Sequence, residues 1–94
     1  MRQRAREFIA LFRRARVAAE RIEPTHLQLR LHGSNDAFDA ARDLFAKEQA
    51  CCPFYAVQFA ESRRTLQVDV RVPSEAEHSL EAFEWLAQQA LGQT

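Results

Sequence analysis

The chain has 94 residues, 47% hydrophobic and 28% charged, with thirteen basic and thirteen acidic side chains and a formal net charge of zero. This is the composition of one small globular domain that buries a single core without staples. No apolar run approaches the roughly 20 residues that a bilayer span requires, so no membrane association is expected.

The N-terminal MRQRAREF is basic but lacks the continuous apolar stretch and small-residue cleavage site of a secretory signal, which makes the cytoplasm the expected location. Residues 1–21 hold seven arginines against Glu7 and Glu20, a charge of +5, and the remainder carries −5. A basic segment of this kind could grip nucleic acid. The acidic body supplies a nearer partner, so complementarity within the molecule or across a dimer is the expectation and nucleic acid is not.

In chain order, residues 3–22 read as an amphipathic helix, with Phe8, Leu11, Phe12, Ala15, Ala18, Ala19 and Ile22 at helical spacing and Pro24 ending it. THLQLRLH, residues 25–32, alternates as a half-buried strand, with Leu27, Leu29 and Leu31 on one side and His26, Gln28, Arg30 and His32 on the other. Gly33 to Asp36 form a turn and cap a second helix that runs to about residue 51, where Pro53 forbids continuation. Residues 54–60 and 65–72 are two further strands joined by a polar connection at 61–64. PSEAE then opens a last helix, Ser74 and Glu77 having the spacing of a capping box, with Leu80, Phe83, Leu86, Ala87, Ala90 and Leu91 on its core face.

The expected fold is α+β in the order α-β-α-β-β-α, a single domain over 1–94 with a basic helix at 1–22 and an α/β body at 25–91. Its three-stranded antiparallel sheet has the split β-α-β, ferredoxin-like arrangement, with the third strand between the first two. The second and third helices cover one face. Gln28, Arg30, Gln67, Asp69 and Arg71 mark the other face as wet.

The segment KEQACCPFY, residues 47–55, concentrates the chemistry. On a helical wheel Ala37, Ala41, Leu44 and Phe45 form an apolar stripe, and Glu48 falls in its middle with Cys51 and Cys52 flanking it one turn later. Three chemistries compete there. Thiolates suit soft ions, and His26 and His78, at the same end of the sheet, are candidate further ligands, whereas His32 lies at the far end. Adjacent cysteines are not the Cys-x-x-Cys of a zinc site, however. A redox or nucleophilic role asks for a depressed thiol pKa, and a helix C-terminus acts the other way. The structural reading has both cysteines as small hydrophobes filling the turn into the next strand.

Glu48-x-x-Cys51-Cys52-Pro53-Phe54, preceded by a helix and followed by two strands and a proline-initiated helix, resembles a family of small uncharacterised bacterial proteins with an E-x-x-C-C-P-F signature. Similar segments occur attached to, or encoded near, regulators of the mercury-responsive type. The resemblance covers about residues 17–91, and the arginine-rich residues 1–16 depart from it. It implies a thiol-centred site and a heavy-metal context, and no particular reaction.

The reading is therefore a small thiol-centred binding or sensing module for a soft heavy-metal or metalloid ion, with Cys51 and Cys52 as ligands and Glu48 as their polar partner. The alternative is a non-catalytic dimerisation or interaction module with a structural Cys-Cys-Pro-Phe turn. An enzyme ranks third, since there is no glycine-rich phosphate loop, nucleophile–base pair or cofactor fingerprint. A homodimer is expected, with Phe8, Phe12 and Trp85 in the contact, because the body's two helices already cover a small sheet.

Overall fold

A computed structural model describes the backbone of residues 2–91 and side chains from Arg4 onward; the expected domain's residues 1 and 92–94 lie outside the described part. Helix α1 spans Arg2–Arg14, strand β1 Arg16–Glu23 and strand β2 His26–His32. Helix α2 spans Asn35–Cys51, and strands β3 and β4 run over Ala56–Ser62 and Thr65–Arg71. A 3-10 turn at Ser74–Ser79 leads into helix α3, Leu80–Leu91.

The four strands form one antiparallel sheet in the order β1-β2-β4-β3. This corrects the expected three-stranded sheet and the expected helix over 3–22. The last helical bond of α1 is Ala15 N–H to Leu11 C=O, and the chain then turns into an edge strand paired with β2 from Arg16↔His32 to Glu23↔His26. The helical pattern beyond residue 14 rested mostly on alanines, which commit little apolar area to either conformation. In the fold Ala18, Ala19 and Ile22 are exposed, and Val17 is the buried residue of β1. Without β1, the outer edge of β2 would leave a row of unpaired backbone N–H and C=O groups. Pairing that edge outweighs a weak local preference.

Two smaller boundaries also move. β3 starts two residues later than expected, because Cys52 to Tyr55 form a turn closed by Tyr55 N–H to Cys52 C=O at 3.2 Å. The Ser74–Glu77 capping box does not form: Pro73 precedes a 3-10 turn without a side-chain cap, and Ala76 (φ −116°, ψ 16°) kinks that turn in its middle. Ser34 does cap α2, its hydroxyl accepting from Ala37 N–H at 3.4 Å.

All three helices pack on one face of the sheet. Leu27, Leu29, Leu31, Leu66, Val68 and Val70 are fully buried beneath them, as strand alternation requires. Above that layer Phe8 of α1 sits edge-on to Phe45 of α2 and Phe83 of α3, with centroids 5.1 and 5.5 Å away, and 5.9 Å from Phe12. Phe8 and Phe12, expected at a contact between two copies, thus lie in the chain's own core, 2% and 1% exposed. An amphipathic helix buries its apolar stripe at the nearest apolar surface, and the groove between α2 and α3 provides one.

The opposite face carries His26, Gln28, Arg30, Gln67, Asp69 and Arg71 on the two central strands. There Asp69 gathers His26 Nε2 at 2.7 Å, Gln28 at 3.3 Å and Gln67 at 2.9 Å. Burial alone would raise the pKa of Asp69, but the bonds from Gln67, His26 and Gln28 outweigh it and hold the carboxyl below its usual range.

Candidate functional site

The cysteine segment takes its shape from Pro53. A residue before proline is driven out of the helical region, and Cys52 (φ −129°, ψ 87°) ends α2 there. Its N–H still donates to Glu48 C=O at 2.7 Å, so one last helical bond fixes Cys52 against the helix. The Gln49 amide reaches past it to Tyr55 C=O at 3.2 Å and holds the turn closed. Cys51 is consequently exposed at the helix end and Cys52 half-buried, and both thiols are free.

Glu48 lies on the inward side of α2, only 13% of its side chain exposed. Its partner is Arg4 of α1, whose Nη1 stands 3.0 Å from Oε1. The bond to Glu48 raises the pKa of the Arg4 guanidinium further above its already high value. The glutamate that broke the apolar stripe of α2 is thereby paired across a helix–helix contact. Arg4 was not singled out from the sequence, although a signal existed: it lies one turn before Phe8 and heads the apolar stripe of α1.

Arg4, Phe8, Glu48, Cys52, Tyr55 and Trp85 surround a groove of about 200 Å³ between α1, the end of α2 and α3. Trp85 forms its outer wall and is 54% exposed. Tyr55, buried beneath the groove, packs against Phe83 at 5.5 Å and against the exposed Phe54 at 4.6 Å. Tyr55 is a second residue that sequence reading left out, since it looked like an ordinary strand aromatic.

Both ionisable groups on this floor favour their neutral forms. The Cys52 thiol is pushed up chiefly by desolvation, then by its hydrogen bond with Cys51 and by the charges of Cys51 and Glu48, with Arg4 opposing. Tyr55 is raised by burial and by the same negative neighbours, partly offset by the Ser79 hydroxyl. A thiol held this way is a poor nucleophile at neutral pH but a sound soft ligand, because an ion that replaces the proton supplies its own positive charge.

The structure brings Glu48 and Cys52 to one groove, whereas Cys51 is exposed at the end of α2 and does not line it. His26 lies on the opposite face of the sheet, bound to Asp69, and His78 is exposed in the 3-10 turn. Among the described residues no group of three His, Cys, Asp or Glu side chains is placed to hold a metal ion. No helix among them is long and apolar enough to cross a membrane. Comparison with protein-family models, with curated proteins and with solved structures gives no match.

Proposed function

We propose that the chain is a thiol-centred binding or sensing module in which Cys51 and Cys52 hold a soft heavy-metal or metalloid ion. The observation that carries this reading is the pair of free adjacent thiols, one in solvent and one opening into a groove beside Glu48. The donor set argues for an ion content with two sulfur ligands and against tetrahedral zinc, which asks for four. Cys51 offers the first, kinetically accessible sulfur, and Cys52 closes the chelate. Arg4 and Glu48 hold α1 against α2 at that point, so capture of an ion has a route to the helix contact. The likeness of this segment to E-x-x-C-C-P-F proteins points the same way, and two free thiols suit the reducing cytoplasm.

Native mass spectrometry of the reduced protein with mercury(II), copper(I) or arsenite, alongside pH-stat measurement, tests this. Uptake of one ion is expected, with release of thiol protons for mercury(II) and copper(I) that makes their binding tighten as pH rises toward the elevated Cys52 value, and with loss of water in place of protons for arsenite. Uptake unchanged in a Cys51→Ala/Cys52→Ala variant would reject it.

The exposed Trp85 and Phe54 favour a second reading, a non-catalytic interaction module in which the cysteines only shape the turn. A second copy of the chain remains the partner for that reading, with Trp85 in the contact and without Phe8 and Phe12. Light scattering that gives the mass of one chain from micromolar concentration upward would dismiss it.

A further inference from the structure

At the end of the sheet away from Cys52, the strands bring unpaired positive charge together. Arg16 of β1 stands directly opposite His32 of β2, and His32 opposite Thr65 of β4. Arg64, the residue before Thr65, closes the β3–β4 turn. Arg16, His32 and Arg64 line one open cleft of about 680 Å³, completed by Gly33 and Ser34 and containing no carboxylate in its lining. We propose that this cleft binds a small phosphate-bearing anion, a function separate from the thiol groove.

Three observations support this. First, Arg16 and Arg64 have no ion-pair partner among the described residues, as is also true of Arg13, Arg14 and Arg63, but these two converge on one cleft whose lining holds no carboxylate to neutralise them. Both guanidinium groups line the same cleft, one from β1 and one from the β3–β4 turn on the other side of β2, and their mutual repulsion is relieved when an anion sits between them. Second, Arg64 adopts φ 55°, the one positive φ of a non-glycine residue among the described residues. Glycine or asparagine suits that conformation better, so the position holds a guanidinium at a backbone cost. Third, the walls are tied together. Gly33 N–H donates to Arg64 C=O at 3.1 Å, joining the turn to the start of α2. The Thr65 hydroxyl lies 3.2 Å from His32 Nδ1, within hydrogen-bond distance, and ties the ring to the start of β4. The cleft is of the size of small-ligand sites, and arginines bind phosphate oxygens in pairs.

The test is an NMR titration at low salt with inorganic phosphate, pyrophosphate and adenosine monophosphate as probes, following the amides of Gly33, Ser34, Arg64 and Thr65. Saturable shifts confined to these residues are expected; stronger binding of adenosine monophosphate than of inorganic phosphate assigns the site to phosphate esters, and the reverse to free phosphate. Arg64→Gly retains the turn geometry while removing the guanidinium, so it should weaken binding of the best probe at least tenfold with an unchanged or higher melting midpoint. Arg16→Ala should weaken it similarly, and Arg30→Ala, outside the cleft, should leave it as it is. Absence of saturation at millimolar probe, or equal affinity in wild type and Arg64→Gly, would overturn the proposal.

Discussion

Replacing Phe8 with alanine tests whether α1 belongs to the core of its own chain. The ring is 2% exposed and touches three aromatic rings at 5.1, 5.5 and 5.9 Å. Truncating a phenylalanine in such a site costs about 3–5 kcal/mol, the transfer of the ring plus the void left between Phe45 and Phe83. A domain of this length has a total stability of about 5–14 kcal/mol, so the substitution removes between about a fifth of it and all of it. With about 4–8 °C lost per kcal/mol, the melting midpoint should fall by roughly 12–40 °C. Phe8→Leu, which keeps most of the volume, should cost only about 1.5 kcal/mol. Urea unfolding followed by circular dichroism, run at two protein concentrations tenfold apart, measures both variants. A loss below about 1 kcal/mol for Phe8→Ala would refute the packing. So would a wild-type midpoint that rises with protein concentration when that of Phe8→Ala does not, because Phe8 would then be covered by another chain.

Two further predictions address the sheet. In β1 the strand alternation turns Val17 inward and Ala18 outward, while a helix would have buried Ala18 and exposed Val17; Val17→Asp should therefore destabilise by about 2–4 kcal/mol and Ala18→Asp by less than about 0.5 kcal/mol, the reverse order restoring the helix. Asp69, whose folded pKa is lowered by Gln67, His26 and Gln28, contributes stability that is present above its unfolded value near 4 and is lost as pH falls through the lower folded one. Asp69→Asn should flatten that acid limb in pH-dependent urea melts, and an unchanged limb would assign the acid sensitivity to other carboxylates.

Local signals in the sequence were enough for those features that depend on nearest neighbours. Leu27, Leu29 and Leu31, and Leu66, Val68 and Val70, alternate so strictly that only one face of the sheet could be buried. Pro53 ends α2 because the ring forbids the next helical bond, and Ser34 caps it because the hydroxyl meets the free N–H of Ala37. Glu48 announced itself by its place on an apolar stripe. Its partner did not: Arg4 is 44 residues away, and only the packing of α1 on α2 brings the two together. The same long-range requirement decided β1, where the alanines of residues 15–19 were compatible with helix or strand and the unpaired edge of β2 made the choice. His26 followed its strand period to the face opposite the cysteines, where Asp69 two positions along the neighbouring strand was waiting as an acceptor. Periodicity fixes which side a residue faces within its own element, because that is set by backbone geometry. Which other element it meets there is set by burying the shared apolar surface and by pairing every backbone edge, and those are properties of the whole chain.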